Sequence, residues 1–526
     1  MRIVVLDMNH TFFQPEESSQ PEGQIIDSTS FHSAVESSCA SAPIDKPRSN
    51  CAIVGVYAHP EAAKLVYSSL YALQHRGQES SGIVSSDGQN LFRHVGMGLV
   101  TNVFADAAIF DKLPGNLAIG HNRYSTTGST VLHNAQPFVV SAKHGLMAVS
   151  HNGNFINSRS LRKKLEDEGS IFQTTSDTET ILHLMAKSPA PDIAGRLKDT
   201  FRQLKGAYSL VILTRSKLIA VRDPRGWRPL NIGRKNQAWI IASETCAFDL
   251  LEAEYVREVE PGEIIVIDQN GLHSDFLEEK AERAACIFEL VYFSRPDSKI
   301  FDENVDRARR RLGKNLANEH PAQADIVISV PDSSNTAALG YARNSGIKFE
   351  IGLIRNHYIG RTFIHPDQIG RDANVRIKFN PVKGVLNGKR IVLVEDSIVR
   401  GTTLKHLVRM LRKAGAKEVH VRVSSPPIIS PCYYGMDFPT KDELIANNKS
   451  IEEIKNYLEV DSLEYLSVEG LLKSVPHEKG GYCTACFTGR YPLPPEEVMR
   501  KFEQDSNNGH LDEASVNDEQ KTPVAI

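Results

Sequence analysis

The chain has 526 residues, 41% of them hydrophobic and 24% charged, with Lys+Arg 61 against Asp+Glu 64. That length suggests roughly two to four domains with sizeable cores. The near-neutral balance excludes a global electrostatic pull toward nucleic acid or acidic membrane, and no apolar run approaches the about 18–20 residues of a membrane span.

Residues 1–50 hold seven acids and three bases. The opening MRIVVLDMNHTFF has too short an apolar stretch and the wrong flanks for a secretory signal, and the acids argue against an organelle transit peptide. A cytoplasmic protein is therefore expected. Residues 15–50 are rich in Ser, Pro, Glu and Gln without periodicity, which predicts a disordered leader. Order is expected to begin at Cys51, in the apolar run CAIVGVY. The next stretch, PEAAKLVYSSLYALQHRG, reads as a helix: Pro60 near its start, Val66, Leu70 and Leu73 on one face, Gly77 past its end. From residue 82 to about 275, short β-rich runs alternate with turns and a few helices, an α+β pattern. After residue 285 strands alternate with helices. Strands are predicted at 324–330, 389–396 and 418–425, with a helix carrying Leu404, Leu407, Val408 and Leu411 and ending near Gly415. That rhythm predicts a doubly wound parallel sheet. The basic string DRARRR (306–311) reads as a solvated helix face. The polar tail 503–526 is expected to be disordered.

The string RIVLVEDSIVRGTT (390–403) is the most informative. A buried strand runs into Glu395 and Asp396, then a turn of small residues, then a helix. Backbone N–H groups in such a turn, with the helix N-terminus, cradle a phosphate monoester, and the hydroxyls of Ser397, Thr402 and Thr403 add donors. Carboxylates beside phosphate need another task, such as binding ribose hydroxyls or a divalent metal. The string resembles the phosphoribosyl pyrophosphate (PRPP) motif of type I phosphoribosyltransferases, with Glu395 where that family usually has Asp. PDSS (331–334) resembles the pyrophosphate loop, and IRNHYIGRTFIHP (354–366) the loop that closes over PRPP. The resemblance implies PRPP binding by Ser333, Arg355, Tyr358, Glu395, Asp396, Ser397, Gly401, Thr402 and Thr403. It implies magnesium at Ser333, Glu395 and Asp396.

In the first part, LQHRGQES (73–80), GHNRYSTTG (120–128), SHNGNF (150–155) and TTSDTE (174–179) each read alone as a capped turn. Together with a cysteine heading a strand they resemble the class II glutamine amidotransferase domain, an N-terminal-nucleophile αββα sandwich. The resemblance implies Cys51 as nucleophile, Asn152 and Gly153 as the oxyanion hole, and Arg123 on the glutamine carboxylate. It also implies Asp177 on the ammonium and Arg76 in the pocket. The base in that family is the α-amino group of the nucleophile itself, with a pKa near about 8. Position 51 has no free amine until the Asn50–Cys51 bond is cut, so residues 1–50 are expected to be a propeptide. Ala52 stands where glycine is common.

The seven cysteines, without a secretory signal, point to reduced thiols. Cys483 and Cys486 form a CxxC, and with Cys246 and Cys432 they fit a four-thiolate site; spacing leaves zinc and iron–sulfur both open, with a redox pair as a third option. The local strings resemble the iron–sulfur-containing branch of the amidophosphoribosyltransferases, which implies a 4Fe-4S cluster on Cys246, Cys432, Cys483 and Cys486. Cys39 and Cys286 lack a partner motif.

The organisation expected is a leader at 1–50, a class II glutamine amidotransferase domain at 51–280, a type I phosphoribosyltransferase domain at 281–502 and the tail. The resemblance implies an enzyme that converts glutamine, PRPP and water to 5-phosphoribosylamine, glutamate and pyrophosphate. It also implies a homotetramer and feedback by purine nucleotides. The rivals are another class II amidotransferase, disfavoured by residues 390–403, and a non-catalytic PRPP-sensing regulator, disfavoured by Cys51, Arg123, Asn152, Gly153 and Asp177.

Overall fold

The computed structural model describes residues 25–27 (backbone), 51–124, 130–357, 377–438, 440–476 and 481–495. The first part contributes β1 (Ile25–Asp27), β2 (Ala52–Tyr57), α1 (Ala62–Ala72), β3 (Ser80–Ser86), β4 (Leu91–Met97), β5 (Leu117–Arg123), β6 (Phe138–Ala142) and β7 (Gly145–Phe155). It continues with α2 (Ser158–Asp167), α3 (Thr178–Lys187), α4 (Ile193–Phe201), β8 (Gly206–Thr214), β9 (Leu218–Arg222), β10 (Asn231–Lys235) and β11 (Ala238–Ala242). Then come α5 (Cys246–Leu251), β12 (Glu254–Glu258), β13 (Glu263–Asp268) and β14 (Gly271–Phe276).

These strands form an eight-stranded sheet, β1-β4-β3-β5-β2-β11-β10-β12, and a six-stranded sheet, β14-β13-β9-β8-β7-β6. Strand alternation builds the layers. In β2, Ala52, Val54 and Val56 pack with α1 and α5, while Ile53 joins Ala148, Val211 and Ala220 between the sheets. In β7, Met147 and Val149 face the opposite way, onto α3 and α4. The result is the αββα sandwich. One expectation changes: the leader, read as disordered, supplies β1, which pairs in parallel with Leu91–Arg93 of β4. Its Ile25-Ile26 pair is β-branched and suits an extended edge.

The second part holds β15 (Ala284–Cys286), α6 (Val305–Glu319), β16 (Ile326–Ser329), α7 (Asn335–Ser345), β17 (Arg390–Glu395), α8 (Thr402–Lys413), β18 (Glu418–Val423), α9 (Ile451–Leu458), β19 (Ser462–Tyr465) and β20 (Gly481–Cys483). The parallel sheet runs β16-β17-β18-β19. Its strands are apolar on both faces, as a sheet covered by helices on both sides demands. Val327, Val392 and Val394 pack toward α6 and α7; Ile328, Ile391, Leu393 and Val421 pack toward α8 and α9. Leu404, Leu407, Val408 and Leu411 are all buried. At about 1.5–3 kcal/mol each, they dock α8 so that its first turn sits over the strand ends. The two predicted halves thus have the expected fold classes. Among the described residues no helix is long and apolar enough to cross a membrane.

Candidate active sites and the seam between them

Cys51 stands at the open end of β2, where Ala52 pairs with Asn122 of β5. Its Sγ contacts the Tyr124 carbonyl at 3.6 Å. Burial pushes the thiol up to about 11; the Tyr124 contact and Arg123 pull it down, and Glu79 and Asp177 raise it. These groups are therefore assembled around the sulfur, though they come from β5 and the segments before β3 and α3. A thiol so raised is protonated near neutrality and needs a base. Arg123 is buried and lies 3.9 Å from Glu79.

Asn152 lies on β7 with no exposed surface, and neither its Oδ1 nor its Nδ2 has a hydrogen-bond partner. An orphaned buried amide costs about 1–3 kcal/mol, so this position is kept at the expense of stability. Gly153 follows it, and a Cβ there would stand 2.0 Å from the Ala207 carbonyl oxygen, so only glycine fits. Asp177 stands immediately before α3, and its Oδ2 accepts the Phe155 N–H at 3.0 Å. Cys51, Arg123, Asn152, Gly153 and Asp177 thus come from strand ends and one helix start on facing sheets.

Arg76, expected in the glutamine pocket, has a fully buried guanidinium that pairs with Glu244, with Glu289 (Nη2–Oε2, 2.5 Å) and with Ser294 (3.2 Å). Glu289 also pairs with Arg228 at 3.1 Å, and Arg228 donates to the Tyr434 carbonyl at 2.8 Å. Glu289 and Tyr434 belong to the second half. Arg76 is therefore a strut of the seam between the halves; a Gln-His-Arg string cannot reveal a partner more than two hundred residues away. The same seam brings Gly435 against Gly153: a Cβ on Gly435 would lie 2.9 Å from the Gly153 carbonyl carbon. Beside it, Asn154 donates to the Tyr433 carbonyl at 3.0 Å.

In the second half, β17 ends in Glu395 and Asp396, both buried. The Ser333 hydroxyl donates to Asp396 Oδ1 at 2.5 Å and Ser397 to Oδ2 at 2.6 Å. Glu395 Oε1 accepts from Ser334 at 3.2 Å and from the Asp396 N–H at 3.1 Å. The PDSS loop and the EDS string are thereby held side by side. Gly401 caps α8 with φ 79°, a left-handed conformation that favours glycine. Thr402 and Thr403 open the helix after it. Arg355 pairs with Asp332 at 2.9 Å. Tyr358 lies outside the described residues. Arg309, read within a solvated basic face, is instead buried and donates to the carbonyls of Leu290 (2.9 Å) and Ser294 (2.8 Å). Burial lowers it to about 10, while the Asp396 charge raises it. Ser334 and Arg309 were missed because neither stands out within its string.

Residues 121–249 match the glutamine amidotransferase domain family, and residues 299–425 the phosphoribosyl transferase domain family. The chain is 52% identical over 459 residues to amidophosphoribosyltransferase 1, chloroplastic, of Arabidopsis thaliana, covering 87% of this chain and 81% of that one. The chain belongs to the amidophosphoribosyltransferase family. Its identity to the Bacillus subtilis amidophosphoribosyltransferase is 49% over 447 residues, or 84% of this chain and 94% of that one. It also resembles the solved glutamine PRPP amidotransferase from B. subtilis complexed with ADP and GMP, at TM-score 0.81 and 48% identity, over 86% of this chain and 99% of that one.

Within this family frame the iron–sulfur expectation is corrected. Among the described residues no group of three or more His, Cys, Asp or Glu side chains is placed to hold a metal ion. The 4Fe-4S cluster expected on Cys246, Cys432, Cys483 and Cys486 is overturned by that finding. Cys246 is buried in α5, where Glu244 and Ser298 act on its sulfur. Cys432, Cys483 and Cys486 instead line a cavity of about 20 Å³ with Cys286, which β15–β20 pairing sets in register with Cys483. Burial pushes these thiols up, Cys483 to about 12. The Tyr434 N–H contacts the Cys432 sulfur at 3.3 Å. The sequence misled because a CxxC marks two positions, and remote partners follow from strand register alone. Ser333 and Ser397 donate to the Asp396 oxygens, the position at which magnesium is expected.

Proposed function

We propose that the protein is an amidophosphoribosyltransferase of purine biosynthesis that works through two sites. At the first, the Cys51 thiolate attacks the amide carbon of glutamine, and the oxyanion takes hydrogen bonds from the Asn152 amide and the Gly153 N–H. Ammonia leaves with a proton, and water hydrolyses the glutamyl thioester to glutamate. Arg123 faces the substrate carboxylate and Asp177 its ammonium. At the second, the ammonia lone pair attacks C1 of PRPP, and pyrophosphate departs to give 5-phosphoribosylamine. Ser333, Arg355, Tyr358, Glu395, Asp396, Ser397, Gly401, Thr402 and Thr403 hold the PRPP. The observation that carries this reading is the orphaned, fully buried Asn152 amide beside Gly153, whose hydrogen bonds only a ligand would complete.

The reading includes domains at 51–280 and 281–502 and removal of residues 1–50, which frees the Cys51 amine as base. It also includes a cytoplasmic location, a homotetramer and restraint by purine nucleotides; ADP and GMP in the B. subtilis structure support the last.

The test has two parts. Amide-labelled glutamine and PRPP should yield labelled phosphoribosylamine with glutamate and pyrophosphate in equal amounts. N-terminal sequencing of active protein should begin at Cys51. Full glutamine-dependent activity in a chain still starting at Met1 overturns the assigned base.

A further inference from the structure

The stretch of β7 that carries Asn152 and Gly153 runs past the end of its neighbour. β6 stops where Phe138 pairs with Val149, before His151 is reached. In an antiparallel ladder the N–H and C=O of one residue point to the same side, and the side alternates along the strand. The Ile156 N–H bonds the Lys205 carbonyl at 2.9 Å, so the even-numbered residues of β7 face β8. Tyr208, opposite Gly153, turns toward β9 instead: its carbonyl accepts the Asp223 N–H at 2.9 Å. The main-chain groups of His151, Gly153 and Phe155 therefore project along the side where β6 has ended.

Two buried side chains stand in for the strand there. Gln136 Oε1 accepts the His151 N–H at 2.8 Å, and its amide nitrogen donates to the Thr178 hydroxyl oxygen at 3.1 Å. His121, from β5 of the facing sheet, places Nε2 3.0 Å from the His151 carbonyl oxygen. A carbonyl only accepts, so Nε2 holds the ring proton and donates it. Burial pushes the imidazole down to about 3, so the ring is neutral. Nδ1 is then a bare acceptor, and among the described residues it has no hydrogen-bond partner. Leaving a buried polar atom in that state costs about 1–3 kcal/mol, which sets His121 apart from a side chain kept for packing. Two residues beyond Gly153, Asp177 Oδ2 takes the Phe155 N–H at 3.0 Å. Gly153 lies midway between these clamps, and its N–H projects from the same edge.

We propose that His121 and Gln136 are positioning residues that replace the missing strand beside His151 and so hold the Gly153 N–H aimed at the developing oxyanion. The inference rests on the oxyanion role given to Gly153 above. Without the His121 donor the His151 carbonyl is buried and unpaired. The edge must then twist to find another donor, and the Gly153 N–H turns with it.

The experiment uses the full-length enzyme. His121→Phe keeps a ring in place and removes the donor. Its kcat for glutamine hydrolysis should fall about ten- to hundredfold, up to the lower range for a lost oxyanion donor. KM should stay within about threefold, since the contact matters only as the oxyanion forms. Alkylation of Cys51 by iodoacetamide, in which sulfur displaces iodide and no oxyanion forms, should keep its wild-type rate. Ammonia-dependent synthesis should hold. His121→Gln, whose amide nitrogen can donate from a similar place, should restore kcat, and Gln136→Leu should repeat the fall. An unchanged kcat in either His121→Phe or Gln136→Leu, alkylation slowed as much as kcat, or no rescue by His121→Gln overturns the proposal. If both variants fail to fold, ¹⁵N spectra of the wild-type imidazole, assigned by the resonance lost in His121→Gln, decide: a proton on Nδ1 overturns it. A wild-type enzyme that uses ammonia but not glutamine overturns the glutamine reading itself, and this proposal with it.

Discussion

The two halves build their sites in opposite ways. In the second half, the residues proposed to hold PRPP follow the C-terminal ends of neighbouring parallel strands, so PDSS after β16 and EDS after β17 meet by register alone. In the first half, Cys51, Arg123, Asn152 and Asp177 come from two antiparallel sheets and a helix start, and meet only because the sandwich closes. A parallel α/β sheet gathers chemistry at one edge as a rule of its topology. An antiparallel sandwich gathers it by packing. The first site should therefore depend more on the seam, and the second on its own loops.

The sharpest test of that division is reciprocal. Cys51→Ala should abolish glutamine-dependent synthesis while ammonia-dependent synthesis persists, and Asp396→Asn should remove both syntheses while leaving glutamine hydrolysis. Loss of all activities in either variant, measured by paired assays, breaks the two-site comparison. Next in size, Asn152→Ala should lower kcat for glutamine by about 10²–10³-fold, the usual value of one oxyanion donor; an unchanged kcat removes Asn152 from the oxyanion hole.

The seam comes third. Glu289→Ala leaves Arg76 and Arg228 buried without their shared carboxylate and should cost about 3–5 kcal/mol, read as a shift in denaturant midpoint. The network also implies an acid limit. Burial raises the Glu289 carboxyl, but Arg76 and Arg228 more than offset this and hold it below its ordinary value of 4.5. Its contribution is fully present above that value and is lost as pH falls through the lower folded pKa. Glu289→Ala should therefore flatten the acid limb of the stability profile.

The smallest expected effect is at Gly435. A methyl there meets the Gly153 backbone and must adopt φ 93°. Gly435→Ala should cost about 1 kcal/mol or more and slow glutamine-dependent synthesis while sparing the ammonia-dependent reaction. Equal slowing of both reactions would show that the seam does not favour the first site.

Much of this was legible in the sequence. The strands predicted at 389–396 and 418–425 are β17 and β18, because unbroken apolar runs have only one way to be satisfied in a sheet covered on both faces. The four leucine and valine positions of α8 followed from helical spacing. Long-range pairing was not legible. Arg76 is bound into the seam by Glu244 and Glu289, Arg309 turned from a surface cation into a buried one, and Cys286 replaced Cys246 beside the CxxC. Each outcome depends on a partner supplied by a distant segment. By itself, the sequence determined which residues could do chemistry and which local turn would present them, since propensity and periodicity act over a few residues. Only the tertiary structure decided which charges are paired, which amide is orphaned and which thiols share a cavity, because those are set where surfaces far apart in the chain exclude water together.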